Sequence, residues 1–367
     1  MDRRQILKAT GRLVELIPNL IFLVVYTLAM LSPIVSPLRT QIPAFLNMGF
    51  MVIGILLLLA LVFYLIRRNW LYVAVYCCAI ILSWGYLSSY FPINYSKGLK
   101  EERDLRVMTY NVEGFSERDA KDNTLATSVI HQYDPDILAL QESNFYPQAV
   151  PDKAVIKRLI GTGYPYVYVY RSQTIASKYP IIAKEEIEYE GYSNGSSAYL
   201  VEHPNGKKIL VVNNHMESYA LLKSEKEKYK VYVKEVQLSK LKEHIREVKN
   251  RLGPHLNQRA MAARKVELEV RKIEERLRPD VVIVLGDLND TPMSYTYYKL
   301  RDSRHDAYAE VGNGLGASYN DRWLPFRIDH LFYSGSARAI GGAIPQHKNA
   351  SDHNPLIVDF SWVNNNE

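Results

Sequence analysis

The sequence predicts an α/β or α+β domain that follows an apolar membrane anchor. Two observations carry this prediction. Residues 1–100 contain three long stretches without a charged side chain. From Leu105 onward, short apolar runs bounded by turn residues alternate with helical patterns, as in domains that pack helices against a sheet. The anchor and the domain therefore follow one another along the chain.

The charge of the chain is divided unevenly between these two parts. Residues 1–100 carry nine Lys/Arg and two Asp/Glu, a net charge of +7, whereas the remaining residues carry 36 and 37, a net charge of −1. The positive charge of the whole chain thus gives no reason to expect a nucleic-acid-binding surface on the second part. The only cysteines, Cys77 and Cys78, are adjacent in an apolar run, which excludes a disulfide framework and a thiolate zinc site.

The uncharged stretches of the first part cover residues 16–38, 41–66 and 69–96. Each is longer than the ~20 residues that a helix needs to cross a hydrocarbon core of ~30 Å. The alternatives are a buried core helix or, for the first stretch, a cleaved signal peptide. A cleaved signal peptide would not be followed by two more apolar stretches of this length, which argues against that alternative. The sequence therefore predicts three transmembrane helices within residues 1–96.

The distribution of positive charge predicts the orientation of this anchor. Four basic residues precede the first stretch and Arg67 and Arg68 separate the second from the third, whereas the loop between the first two contains only Arg39. Because loops rich in Lys and Arg stay in the cytoplasm, we expect an integral membrane protein with a cytoplasmic N-terminus. After three crossings, a short charged linker at residues 97–104 leads to an extracytoplasmic domain at residues 105–363.

Eight apolar runs in this domain are predicted strands. They cover residues 105–112, 136–143, 174–182, 197–202, 207–216, 280–288, 328–334 and 355–362. Between the fourth and fifth runs, His203-Pro204-Asn205-Gly206 is typical of a β-hairpin turn. The runs end at, or are flanked by, side chains that handle metal ions and phosphates: Asn111, Glu142, His215, Asp287 with Asn289, Asp329-His330 and Asp352-His353. A single polar residue after a strand is usually a turn residue. Because such residues recur at the ends of several runs, we expect their side chains to line one shared cleft.

The ordered set of motifs resembles the endonuclease/exonuclease/phosphatase superfamily, in particular its deoxyribonuclease, sphingomyelinase and abasic-endonuclease branches. The matching motifs are Thr109-Tyr110-Asn111, Leu140-Gln141-Glu142, Asn214-His215, Gly286-Asp287-Leu288-Asn289, Ile328-Asp329-His330 and Ser351-Asp352-His353-Asn354-Pro355. They occur in the family's order across nearly the whole polar part. The resemblance implies an α/β four-layer sandwich of two packed β-sheets flanked by helices, here preceded by three transmembrane helices.

The resemblance also implies a metal-dependent hydrolase of phosphate esters. Such a reaction needs a hard divalent cation with open coordination positions, a carboxylate that orients water and groups that stabilise phosphoryl charge. By resemblance, the metal site consists of Glu142, Asn111 and Asp352 and binds Mg²⁺, with Mn²⁺ as an alternative. The implied catalytic residues are Asp287 on the water, Asn289 on the phosphate, His215 on the leaving group and the Asp329–His353 pair on a phosphoryl oxygen. For His330, a structural role is the alternative.

Residues 221–278 form a charged insertion at a place where the family has one helix. The insertion contains 17 Lys/Arg and nine Asp/Glu, a net charge of +8, which leaves −9 for the rest of the polar part. Gly253-Pro254 predicts two helical halves. The predicted apolar stripes are Val231, Val236, Leu238, Leu241 and Ile245, and then Met261, Val266, Val270, Ile273 and Leu277. The insertion is either a helical hairpin with solvated charges or a basic surface facing anionic lipid or a polyanionic substrate.

The sequence favours a membrane-anchored phosphodiesterase that hydrolyses a lipid or another extracytoplasmic phosphate ester. An extracytoplasmic nuclease of the same superfamily is the first alternative, although the core with a charge of −9 shows no basic and aromatic groove. A membrane adaptor with a vestigial site is the second alternative. The complete set of site residues argues against it. Membrane lipid and nucleic acid both stay open as partners.

Overall fold

The computed structural model describes residues 3–95, 98–116, 124–145, 150–189, 194–219, 241–320, 325–347 and 349–363. The chain divides into two compact units, Met1–Leu87 with Met293–Tyr295, and Ser88–Pro292 with Thr296–Glu367. Residues 98–104, the described part of the predicted linker, lie in the second unit. The predicted domain limits at residues 96 and 105 stay a prediction.

The first unit is helical. Its helices are α1 (Arg3–Met30), α2 (Ile42–Met48), α3 (Phe50–Ile66), α4 (Trp70–Leu82) and the first residues of α5 (Trp84–Tyr90). Polar side chains connect them: Asn19 donates from Nδ2 to Tyr64 Oη and accepts from Tyr76 Oη, both at 2.5 Å. Hydrogen bonds of this kind join helices whose surroundings are apolar.

One helix of this unit is long and apolar enough to cross a membrane, over Leu13–Met30. Two further pairs of helices meet the same criterion only if each bent pair counts as one span. These pairs are α2 with α3, bent by 73°, and α4 with α5, bent by 66°. By length and composition the described residues thus contain one candidate span, or up to three, and the prediction of three transmembrane helices is not decided.

The second unit contains two six-stranded mixed sheets. The strands are β1 (Leu105–Asn111), β2 (Ile137–Gln141), β3 (Tyr166–Tyr170), β4 (Gln173–Ser177), β5 (Ile181–Ile187), β6 (Gly195–Glu202), β7 (Lys208–His215), β8 (Val281–Asp287), β9 (His305–Asp306), β10 (Asp329–Gly335), β11 (Ala337–Ala343) and β12 (Leu356–Trp362). Sheet 1 has the order β11-β12-β1-β2-β4-β3, and sheet 2 has the order β5-β6-β7-β8-β10-β9. Within each sheet one central pair is parallel, β1 with β2 and β7 with β8.

Helices cover the outer faces of both sheets. They are α6 (Leu125–Tyr133), α7 (Lys153–Ile160), α8 (Leu241–Leu277) and α9 (Tyr295–Arg301), whereas the short helix α10 (Ala307–Val311) packs into the core between the sheets. The inner faces pack on each other through a core that includes Val107, Ile137, Ile209 and Ile283. Residues of α6 and α7 pack on the outer face of sheet 1, and residues of α8 and α9 pack on the outer face of sheet 2. The predicted four-layer α/β sandwich is therefore confirmed.

The predicted strand at residues 174–182 is wrong, because two strands occupy this segment. β4 belongs to sheet 1 and β5 to sheet 2, so the chain passes from one sheet to the other at residues 178–180. Pro180 has no backbone N–H and therefore cannot donate to a strand ladder. Two residues earlier, Lys178 N donates to Asp136 O, directly before β2. The hairpin between β6 and β7 is confirmed, since these strands pair in antiparallel register from Gly195↔His215 to Glu202↔Lys208.

The insertion also differs from its prediction. Its described part is the single 37-residue helix α8, which contains Pro254; the predicted break at Gly253-Pro254 is wrong. A proline removes one backbone hydrogen bond, but Leu252 and Leu256 on either side are buried and hold the helix in place. Val231, Val236 and Leu238 lie outside the described residues, as does the side chain of Leu241. Val266, Val270 and Ile273 are buried as predicted, whereas Ile245 and Met261 are exposed.

Many basic residues on the outer face of α8 form ion pairs. Lys265 and Lys272 lie 2.8 and 3.0 Å from Glu269 Oε1. Arg271 lies 2.7 Å from both Glu267 and Asp302. Of the acidic partners named here only Asp302 lies outside the insertion, and Glu267 and Glu269 are already counted in its net charge of +8. Both alternatives for the insertion therefore stay open.

Candidate active site

The strand registers bring the predicted site residues to one edge of the two sheets. In the parallel pair of sheet 2, His215 lies beside Asp287, and Asp329 on β10 flanks Asp287 on its other side. In sheet 1, Asn111 lies beside Gln141, one residue before Glu142. The Gly-Asp-Leu-Asn motif requires glycine at its first position for a steric reason. Gly286 has φ 129°, and a Cβ there would lie 2.0 Å from Asn214 O.

Asn111 connects the two sheets at this edge. Its Nδ2 donates to Glu142 Oε1 at 3.0 Å and to Asp287 Oδ2 at 3.1 Å. Its Oδ1 accepts the backbone N–H of Glu113 at 3.1 Å. In this arrangement Asn111 orients the two carboxylates through its amide nitrogen.

The carboxylate of Asp287 lies at the centre of the cluster. It is 1% exposed, and its Oδ2 lies 3.9 Å from His215 Nε2 and 3.7 Å from His353 Nε2. Burial raises the pKa of this carboxyl group, and the nearby carboxylate of Asp329 raises it further, while the two imidazoles and Asn111 lower it. The Asp287 carboxylate is therefore a desolvated base that two histidines face.

Asp329 and His353 form a buried pair. The Nδ1–H of His353 donates to Asp329 Oδ2 at 2.8 Å, which fixes the tautomer of the ring and directs Nε2 toward Asp287. Burial acts to lower the pKa of His353, but the carboxylates of Asp329 and Asp287 outweigh it and hold that pKa well above its usual value. Ser351 Oγ accepts the backbone N–H of His353 at 3.1 Å and donates to Asn111 O at 2.8 Å.

The cluster fits a small divalent cation. Glu142, His215 and Asp287 each offer a ligand atom, and these atoms lie within 4.8 Å of one another; Asp287, Asp329 and His353 form a second such group. His215 Nε2 and Asp329 Oδ1 are buried without a hydrogen-bond partner, as expected of donor atoms shaped for a further group. Carboxylate oxygens and imidazole nitrogens are both ligands of divalent metal ions in proteins.

The other predicted site residues have different surroundings. Asn289 adopts φ 49°, and its Nδ2 donates to Met216 O at 3.0 Å. Asp352 is not a member of either ligand group among the described residues; its backbone N–H donates to Glu113 Oε2 at 3.0 Å. His330 is fully buried against Tyr297 and Phe332. Burial, followed by the nearby Arg327, lowers its pKa to about 4. These contacts favour the structural alternative for His330.

Sequence reasoning missed Glu113 and Asn213. Glu113 lies two residues after Asn111 in a left-handed conformation with φ 44°, and an acidic residue so close to a strand end was the available signal. Asn213 is fully buried below the site, accepts from Gln141 Nε2 at 2.6 Å and donates to Leu140 O at 3.1 Å. Nothing in the strand pattern of β7 distinguishes Asn213 from the neighbouring Asn214.

A pocket of about 410 Å³ opens beside Glu142. Its lining includes Glu113, Glu142, Phe115 and Phe145. The two phenylalanine rings stack with centroids 5.6 Å apart, and Phe115 is buried. No Lys or Arg is among the described residues that line it. The pocket is therefore acidic and aromatic.

Fold and site together define a metal-dependent hydrolase of phosphate esters, and comparison with known proteins agrees. The model of the endonuclease/exonuclease/phosphatase family matches residues 108–353, and the chain belongs to this family. A second model, for a domain of unknown function, matches residues 11–90. No curated protein matches the chain.

Several solved structures are similar to this chain. Truncated TDP2 from Caenorhabditis elegans is 18% identical, with a TM-score of 0.46, and the match covers 70% of this chain and 97% of that one. An endonuclease/exonuclease/phosphatase from Beutenbergia cavernae is 16% identical, with a TM-score of 0.48 and coverage of 71% and 72%. The catalytic domain of human nocturnin with bound sulfate is 16% identical, with a TM-score of 0.48 and coverage of 72% and 97%.

Proposed function

We propose that this protein is a membrane-anchored, Mg²⁺-dependent phosphodiesterase whose substrate is a lipid or another extracytoplasmic phosphodiester. The observation that carries this proposal is the position of Asp287. Its buried carboxylate belongs both to the group with Glu142 and His215 and to the group with Asp329 and His353. In this proposal the first group holds the cation, and His353 of the second group faces the reacting phosphate beside it.

Each residue has a distinct role in this proposal. Glu142 holds the cation, Asn111 orients Glu142 and Asp287, and Asp352 supports the metal site from the loop that precedes β12. A divalent cation held there would supply the positive charge that stabilises the negative phosphoryl oxygens. Asp287 orients and deprotonates the attacking water, and Asn289 contacts the phosphate. His353, held by Asp329, donates to a phosphoryl oxygen, and His215 serves the leaving oxygen.

The pocket beside Glu142 supports a lipid-type diester over a polyanion. No Lys or Arg among its described lining residues would pair with a second phosphate group, and the Glu113 carboxylate repels one, whereas the partly exposed ring of Phe145 suits an uncharged or cationic organic group. A nucleic acid strand would carry further phosphates next to the scissile one. The proposed anchor also places the enzyme where lipid phosphodiesters are concentrated.

A substrate panel tests this function. The full chain, purified in detergent with Mg²⁺, is given bis(p-nitrophenyl) phosphate, p-nitrophenyl phosphate, plasmid DNA, and sphingo- and glycerophospholipids. We expect diesters to be cleaved faster than the monoester and phospholipids faster than DNA, with all activity lost in EDTA. Preferential cleavage of DNA would replace the lipid proposal by that of a nuclease, and activity in EDTA would contradict the metal site.

The Glu142→Gln variant tests the metal-binding role. Glutamine keeps the shape of the side chain but removes a negative charge that attracts the cation, so affinity for the metal should fall. We expect low activity at ordinary Mg²⁺ and partial recovery at high Mg²⁺ or Mn²⁺, measured as initial rate against metal concentration. Glu202→Gln is the matched control, because Glu202 is exposed at the end of β6 away from His215. An unchanged metal dependence of Glu142→Gln would contradict the role.

Fusion reporters test the membrane topology. The excess of Arg and Lys before the first apolar stretch and at Arg67-Arg68 supports a cytoplasmic N-terminus and, with three spans, an extracytoplasmic catalytic domain. We expect a C-terminal alkaline phosphatase fusion to be active and a C-terminal green-fluorescent fusion to be dark. The reverse pair of results would place the catalytic domain in the cytoplasm, without changing its chemistry.

A further inference from the structure

Arg259 on α8 is completely buried beside the proposed site. Its side chain is 0% exposed, which is rare for a charged residue without a specific partner. Its Nη1 donates to the backbone oxygen of Glu217 at 2.8 Å, and its Nε lies 3.6 Å from Asp290 Oδ2. The guanidinium also stacks on the ring of Tyr219, 4.2 Å from the ring centroid.

These contacts reach two loops that carry proposed catalytic residues. The first loop follows β7 and contains Glu217, two residues after His215; the second follows β8 and contains Asp290, directly after Asn289. The loops are also bonded to each other, since Met216 N donates to Asp287 O at 2.9 Å and Asn289 Nδ2 donates to Met216 O at 3.0 Å. Arg259 therefore contacts both loops from a third element, the first by a hydrogen bond and the second by an ion pair at 3.6 Å.

The second loop needs such support. Asn289 has φ 49°, a left-handed conformation that few residues other than glycine adopt, asparagine more often than most. Surrounding contacts decide whether such a residue keeps this conformation. On the neighbouring Asp290, His330 Nε2 contacts the backbone oxygen at 2.9 Å, and Arg259 contacts the carboxylate.

We propose that Arg259 is a positioning residue, which holds the loops after β7 and β8 in register so that Asn289 and His215 meet the same phosphate. This inference rests on the proposed function of those two residues. The helix α8 keeps Arg259 in a fixed position relative to sheet 2, because Ala262, Ala263 and Val266, which follow Arg259 on the helix, are buried against that sheet. The insertion thereby supports catalysis with the face that it turns toward the sheet.

Arg304 offers a matched control for a purely structural role. Arg304 is also buried, with 3% of its side chain exposed. Its Nη1 lies 3.0 Å from Oε2 of Glu267, a residue of α8, the helix that carries Arg259. It bonds to Glu274 as well. Both arginines therefore form a buried ion pair that holds α8. The described ion pairs of Arg304 are with residues of α8 itself, and none is with the loops after β7 and β8.

The first measurement compares Arg259→Met, Arg259→Lys and Arg304→Met in the detergent-purified full chain, well below each melting temperature. With bis(p-nitrophenyl) phosphate and Mg²⁺, we expect Arg259→Met to lose about 10- to 100-fold in kcat, since misplacement by ~1 Å costs that much. Its KM should change far less. Arg259→Lys should recover part of the loss, because it keeps the charge near Asp290. Arg304→Met should keep kcat within about threefold while losing thermal stability.

A double-mutant cycle shows whether Arg259 acts through Asn289. If it does, Arg259→Met adds little to the loss caused by Asn289→Ala. Hydrogen exchange, which requires no turnover, should rise at residues 216–218 and 287–290 in Arg259→Met and not in Arg304→Met. An equal kcat in Arg259→Met and Arg304→Met, additive losses in the cycle, or unchanged exchange in the two loops would each overturn the proposal. Absence of turnover in the wild-type chain would instead contradict the proposed function, and the exchange result would still decide the role of Arg259.

Discussion

Replacement of Asp287 by asparagine is expected to lower turnover at least ~10²-fold, the usual contribution of a general base. The Asp287 carboxylate is buried and lies within 4 Å of both His215 Nε2 and His353 Nε2. Asparagine has nearly the same shape and keeps an oxygen that can accept the backbone N–H of Asn289, which now bonds to Asp287 Oδ1 at 2.8 Å. The variant thus loses the charge that orients and deprotonates water while the loop keeps its hydrogen bond.

The metal dependence separates this loss from that of Glu142→Gln. Because asparagine at position 287 removes a proposed base, added Mg²⁺ or Mn²⁺ should not restore the rate of Asp287→Asn, whereas it restores part of the rate of Glu142→Gln. Asp280→Asn is the matched control: it precedes the opposite end of β8, where the Asp280 carboxylate accepts Lys208 N at 2.8 Å. Recovery of Asp287→Asn at high metal concentration would assign Asp287 to metal binding alone.

Removal of the His353 ring is expected to have an effect of similar size. His353→Ala deletes a group that donates to a phosphoryl oxygen as charge develops there, which is typically worth ~10²–10³ in rate. The change also leaves Asp329 without the partner that now bonds to its Oδ2 at 2.8 Å. Since Asp329 is 0% exposed, its uncompensated charge should lower the melting temperature as well.

The rate loss and the stability loss are separable. The double variant His353→Ala/Asp329→Asn removes the stranded charge, so the melting temperature should rise relative to His353→Ala while the turnover stays low. Circular dichroism checks that the fold is retained in both variants. If turnover recovers together with stability, or if His353→Ala stays within a few-fold of the wild-type rate, His353 has no part in the chemistry.

That the proposed site residues lie close together could be predicted from the sequence, because they occupy strand ends. An apolar run that ends in Asn111, Glu142, His215 or Asp287 locates both the strand and the polar side chain after it. The side-chain alternation of strands and the convergence of parallel strand ends then require these side chains to meet. The four-layer order of sheets and helices followed from the resemblance that these motifs carry.

Contacts between distant segments could not be predicted in this way. The passage from sheet 1 to sheet 2 at residues 178–180 depends on which strands β4 and β5 pair with, and the local apolar pattern is the same for either partner. The continuity of α8 through Pro254 depends on the burial of Leu252 and Leu256. In both cases packing against other elements decides what the local signal leaves open.

The sequence by itself determined the apolar N-terminal part, the strands that carry the proposed site residues and the chemical groups at their ends, because each depends on residues that are close along the chain. Only the tertiary structure decided that Asp287 is shared by two groups of possible metal ligands, that Asn111 bridges Glu142 and Asp287, and that Arg259 contacts both loops. Distances of 3–4 Å between such residues arise when the sheets and α8 pack together. Burial then changes the charges themselves: the pKa of Asp287 is raised because the folded chain excludes water from its carboxylate.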